Sequence, residues 1–135
     1  MANEIPSLDA WLREAKADPS AAQCGMYLAH NGVVRETPKA EARGIATDGV
    51  QPGDKVGRLV FGYDQTKVDA AVAAARELPG IFYVRVWLNE GELSVGDDIM
   101  YVLVGGDIRP HVIDALQTLV GTLKNECVTE VEHKA

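Results

Sequence analysis

Two cations bracket one segment of this sequence in positions that could do chemistry. Arg109 follows Gly105-Gly106-Asp107 at what reads as a strand-to-helix junction. An open helix N-terminus favours anions, and a guanidinium can grip a phosphate through two parallel hydrogen bonds. The same arginine also reads as a surface residue or a partner for Asp107. Lys124 ends the same helix, where a lysine ordinarily complements the helix dipole; acid–base work would need partial burial or positive neighbours to lower its pKa. Gly105-Gly106 could turn backbone N–H groups toward a phosphate. With neither GxGxxG nor GxxxxGK[ST] in the chain, however, the pair reads as a tight turn. Cys24 and Cys127 form no CxxC pair, and His30, His111 and His133 show neither HxH nor HExxH spacing. The cysteines read as buried thiols in a reducing compartment, and no metal or cofactor is expected.

The elements that must position these residues follow from periodicity. Residues 7–18 read as a helix, with Ser7 as N-cap, Leu8, Trp11, Leu12 and Ala15 on one face, and Pro19 as the stop. Residues 24–30 have strand character, which Gly32 breaks before Val33 and Val34. Residues 35–54 carry Pro38, Gly44, Gly49, Pro52 and Gly53 among charges, a loop composition of a length that suggests function or mobility. Residues 56–63 read as a strand, and Asp64 can cap a helix over 65–78 with Val68, Ala71, Val72 and Ala75 buried. Residues 81–88 alternate, with Phe82, Val84, Val86 and Leu88 on one face and Tyr83, Arg85 and Trp87 on the other. A turn is expected over 89–97, a strand over 99–104, a helix from Pro110 to about Lys124, and a closing strand over 128–132. The order α, β, β, α, β, β, α, β predicts an α+β layer with a mainly antiparallel sheet and three helices, within a single domain spanning 1–135.

Composition excludes several function classes. The 135 residues are 47% hydrophobic but only 6% aromatic, so the core must be mostly aliphatic. Thirteen Lys and Arg against 20 Asp and Glu give a net charge of −7, the wrong balance for a duplex-binding surface. No apolar run approaches the roughly 20 residues needed to span a bilayer, and residues 1–6 lack a secretory signal pattern, so a cytoplasmic location is expected. An acidic body can still hold a few cations in one pocket for a small anion, because the local field decides.

Taken together, Gly91-Glu92-Leu93, Gly96-Asp97, the hydrophobic run over 99–104, Arg109 and the helix ending Leu123-Lys124 resemble a known pattern. The catalytic (large) subunit of molybdopterin synthase has a GEL-x-x-GD/E turn, a hydrophobic strand, an Ala-His-Arg motif and a helix ending Leu-Lys. Upstream, Gly32-Val33-Val34-Arg35 is similar to that family's Gly-x-Val-Arg before a mobile loop (here about 35–55), and Tyr63 matches its Tyr-Pro-Gly-Met helix start. The resemblance covers roughly residues 24–132.

The resemblance implies an α/β-hammerhead-like fold and a homodimer with a small ubiquitin-like sulfur-carrier subunit at each end. It also implies transfer of sulfur from the carrier's thiocarboxylated Gly-Gly tail to a cyclic pyranopterin monophosphate. Residue by residue, it makes Arg35 and Arg109 substrate-binding, and Lys124 the catalytic lysine acting as acid–base or by charge stabilisation. The chain departs from the pattern in three places. Ile108 replaces the motif histidine before Arg109, and Leu88-Asn89 stands where His-Arg precedes the GEL turn. The segment from Cys127 through Glu132 lacks the second lysine of a Pro-x-Trp-Lys-x-Glu stretch, which would fall near Glu130 or Val131. Two readings follow: a sulfurtransferase subunit with an incomplete motif, or a catalytically diverged paralogue acting as a binding or regulatory module. Likeness of fold alone is a third.

Overall fold

The structure, a computed structural model, describes residues 4–38 and 54–135. Among them the order is α1 (Leu8–Ala17), a 3-10 turn (Pro19–Gln23), β1 (Met26–Val33), β2 (Val56–Tyr63), α2 (Gln65–Arg76), β3 (Ile81–Leu88), β4 (Gly91–Ser94), β5 (Asp98–Gly106), α3 (Arg109–Thr122), a π-helical turn (Leu123–Cys127) and β6 (Val128–Lys134). The strands form two three-stranded antiparallel sheets, ordered β1-β5-β3 and β4-β2-β6. The expected α+β class with three α-helices and antiparallel pairing is the observed one. The loop expected over about 35–55 falls mostly on residues 39–53, outside the described residues.

β5 is the middle of its sheet and is covered on both faces. Met100, Val102 and Val104 enter the main core with Phe61, Val68, Ala71, Ala75, Leu119 and Leu123. Tyr101 and Leu103 face the other way, into a second cluster with Trp11 and Ala15 of α1. A strand buried on both faces must read as a continuous apolar run, and this one does. α1 is capped by Ser7, whose hydroxyl accepts from the Ala10 N–H at 3.2 Å. Arg85 ties the helix down: its guanidinium lies 4.4 Å from the Trp11 ring centroid and pairs with Glu14.

Four expectations shift. β1 runs through Gly32, because Gly32 pairs with Met100 and the irregularity falls after it, at Val33. Residues 89–97 connect β3 to β5 and include β4, which pairs with β2 of the other sheet, its buried Leu93 opposite Leu59. Phe82 is exposed because the β3–β5 register slips between Ile81 and Tyr83, which turns it out of the alternation and sends Ile81 into the core. Gly105 and Gly106 are the last two residues of β5 and form no turn. A Cβ on Gly105 would sit 2.6 Å from the Tyr27 ring, and one on Gly106 would sit 2.5 Å from the Gly80 carbonyl oxygen. Both glycines serve close packing.

Candidate functional site

A cavity of about 470 Å³ opens between the two sheets, at the C-terminal end of the α3 unit. Its apolar floor is Val34, Val56, Leu59, Ile99 and Met100; its polar groups are His30, Arg35, Lys124, Glu130 and Glu132.

Each polar group is held by its element. Arg35 follows β1 between two anchored residues. The Val34 N–H donates to the Asp97 carbonyl at 2.9 Å, and the Val34 carbonyl accepts from Gly96 at 2.8 Å. The Glu36 carbonyl accepts from Val56 at 2.7 Å, and its carboxylate pairs with Lys55 at 3.4 Å. Lys124 sits in the π-helical turn, flanked by fully buried Leu123 and buried Cys127. That turn closes through the Val128 N–H bonding the Leu123 carbonyl, and the Cys127 carbonyl accepts from Asp64 at 2.9 Å. A π turn of this kind widens the helix by one residue just where the chain swings into β6. On β6 the two-residue period sends Glu130 and Glu132 toward the cavity and leaves Val131 exposed. Lys124 Nζ lies 3.5 Å from Glu130 Oε1, and only 27% and 10% of the two side chains is exposed.

His30 also lines this cavity. β1 alternates Met26 and Leu28 toward the main core with Tyr27 toward the α1 cluster, so His30 and Gly32 share the inner face. Its Nε2 is buried without a hydrogen-bond partner among the described residues. Burial, reinforced by the nearby Lys124 charge, pushes the imidazole below its ordinary range. Sequence reasoning passed over His30, because a lone histidine in an apolar strand has no metal-ligand spacing. The usable signal was its even-numbered step from Gly32 and from the residue before Arg35.

The three cations expected to act together do not meet within one chain. Arg35 and Lys124 share the cavity. Arg109 is exposed at the first turn of α3, about 15 helical residues away, or roughly 22 Å at about 1.5 Å per residue. Nor does it pair with Asp107. That carboxylate accepts from the Ile108 N–H at 2.6 Å and lies 2.7 Å from His111 Nδ1, and the imidazole beside it holds it below the usual carboxylate range. Gly80, at positive φ, makes room for this pair, since a Cβ there would stand 2.2 Å from Asp107 Oδ1. Cys24 and Cys127 are free thiols, and burial pushes Cys127 up. Among the described residues, no group of three or more His, Cys, Asp or Glu could hold a metal ion, and no helix is long and apolar enough to cross a membrane.

The family model described as MoaE protein matches residues 3–126. The chain belongs to that family. The match reaches further toward the N-terminus than the 24–132 resemblance and stops before β6, so the two acidic cavity residues lie outside it. Solved structures share the fold. A molybdopterin synthase from Staphylococcus aureus superposes with a TM-score of 0.73 at 17% identity, covering 99% of this chain and 89% of that one. The molybdopterin cofactor biosynthesis protein E of Burkholderia multivorans superposes at 0.69 with 20% identity, covering 98% and 87%. A complex of subunits 1 and 2 of the molybdopterin-converting factor from Helicobacter pylori matches at 0.63 with 15% identity, covering 93% and 74%. A search of curated proteins yields no match. Within the MoaE family frame, the cavity built from β1, the π turn and β6 is the candidate site.

Proposed function

We propose that this MoaE family chain acts in molybdenum cofactor biosynthesis as a molybdopterin synthase-type large subunit. In this reading it transfers sulfur from the thiocarboxylated Gly-Gly tail of a small carrier subunit to a cyclic pyranopterin monophosphate, in the cytoplasm. The observation that carries the reading is the convergence of Arg35 and Lys124 on one cavity beside an apolar floor. Arg35 holds an anionic group of the substrate by charge-assisted hydrogen bonds. Lys124, part-buried, stabilises negative charge developing during transfer or moves a proton to it. The apolar floor excludes water, which strengthens both interactions.

Arg109 enters this reading only through a homodimer. From roughly 22 Å away on its own chain it cannot touch the ligand of its own Lys124, so it serves the cavity of a second copy. Mixing Arg109→Ala with Lys124→Ala chains then regenerates intact sites. Random pairing makes half the dimers mixed, each with one complete site, so activity returns to about a quarter of wild type. A monomer by light scattering, or no recovery on mixing, removes the dimeric site.

One observation favours a second reading, a diverged module that binds without turnover. The Lys124–Glu130 ion pair offsets the cation on which transfer depends. A reconstituted assay with thiocarboxylated carrier and cyclic pyranopterin decides between them. Dithiolene product that disappears in Lys124→Ala supports the synthase, whereas carrier binding without product supports the module.

A further inference from the structure

The described lining residues carry two fixed charges of each sign. Arg35 beyond β1 and Lys124 in the π turn are positive, and Glu130 and Glu132 of β6 are negative. The lining residues from β2 and β5 (Val56, Leu59, Ile99 and Met100) are uncharged. A ligand that carries a carboxylate or phosphate into this space adds a negative charge beside these groups. Among the described lining residues, His30 is the side chain whose ordinary pKa lies nearest neutral pH. It is also the residue with a buried ring nitrogen lacking a partner. An unpaired buried polar atom is destabilising, and it marks a position where a ligand atom can supply the missing hydrogen bond.

We propose that His30 is a ligand-contacting residue of this cavity, its Nε2 hydrogen-bonding an entering anionic group while the ring takes up one proton from solvent. Naming the anion as the carrier's terminal carboxylate or the substrate's phosphate rests on the sulfurtransferase reading; the proton linkage rests on the cavity alone. In the free protein, burial and the Lys124 charge keep the ring neutral at pH 7, with one N–H. A bound anion opposes both influences. The ring becomes an imidazolium that donates from both nitrogens, and the buffer loses one proton for each anion bound. Binding is then tighter at lower pH, and weakens as pH rises through the raised pKa of the complex.

Titration calorimetry on the full chain tests this with two probes that do not themselves titrate near pH 7, inorganic sulfate as a phosphate mimic and an N-acetylated peptide ending in Gly-Gly. Each is run at pH 7 in two buffers of different ionisation enthalpy. The wild type should take up about one proton per anion bound, and its affinity should fall up to about tenfold per pH unit between pH 6.5 and 7.5. His30→Gln and the space-filling His30→Phe should show no uptake and a flat pH profile. Uptake with sulfate alone assigns the contact to the substrate's phosphate, and uptake with the peptide alone assigns it to the carrier tail. Binding without uptake in the wild type, unchanged uptake in both variants, or no binding of either probe overturns the proposal. Proton uptake without sulfur transfer in the turnover assay would remove the sulfurtransferase reading and leave His30 in its role. Turnover without proton uptake would do the reverse.

Discussion

The two ends of α3 are finished in opposite ways. At the start, Asp107 accepts from the Ile108 N–H and pairs with His111, while Arg109 stands exposed beside them. Asp107 Oδ1 takes both contacts within five residues of chain, so this end is locally closed. At the other end the helix widens into a π turn, Leu123 and Cys127 plunge into the core, and Lys124 is left facing a cavity with one carboxylate against it. The first end has no side-chain cap, and Asp107 serves the backbone N–H of Ile108, the residue just before the helix. The second end spends core burial on aiming one cation. Where a charge is positioned at the expense of regular helix geometry, a site is the better reading.

The comparison can be broken most forcefully at Leu123. Its side chain is fully buried, so Leu123→Ala should destabilise the protein by about 2–5 kcal/mol and loosen the lysine next to it. Chemical denaturation measures the first effect and the turnover assay the second. Lys124→Ala removes the aimed cation itself, and product formation should drop about 100-fold or more with the melting temperature nearly unchanged. Arg109→Ala leaving turnover untouched would reduce the other end to a purely structural role. Glu130→Gln sharpens the contrast from the opposite direction. Releasing Lys124 from its acidic partner should tighten phosphate binding severalfold, read by calorimetry at low salt. The smallest effect belongs to Asp107→Ala. The Asp107 carboxyl is held below its ordinary value, so its contribution is present above pH 4 and fades as pH falls through the lowered native pKa. The melting-temperature gap between wild type and this variant should therefore be open at pH 6 and shut near pH 2.

Much of this architecture was legible in the amino acids. The capped starts at Ser7 and Asp64, the apolar run of β5 and the alternation through β6 all follow from local rules, and each is found in place. β4 escaped because a four-residue strand holding one buried side chain, Leu93, is outweighed by the turn glycines around it. Phe82 escaped because a register slip is a property of two strands together, invisible in either alone. For the site, Arg35 and Lys124 were readable only through resemblance, since nothing local marks a lysine at a helix end as aimed inward. The distance separating Arg109 from Lys124 was countable along one helix from the start. His30 and Glu130 needed the tertiary arrangement, because β1 and β6 belong to different sheets and meet the π turn only when both are formed.

That last dependence has a kinetic side. Among the described residues β6 pairs only with β2, which is made far earlier in the chain, and β6 brings the acidic wall of the cavity. As the chain emerges from the ribosome, β5, α3 and Lys124 are all available before the strand that completes their surroundings. Long-range pairing of this kind is slow, because the intervening chain must be closed into a loop before any contact rewards it. The cavity is thus the last part of the molecule to mature, and a nascent chain displays its lysine and its unpaired histidine before the carboxylates arrive.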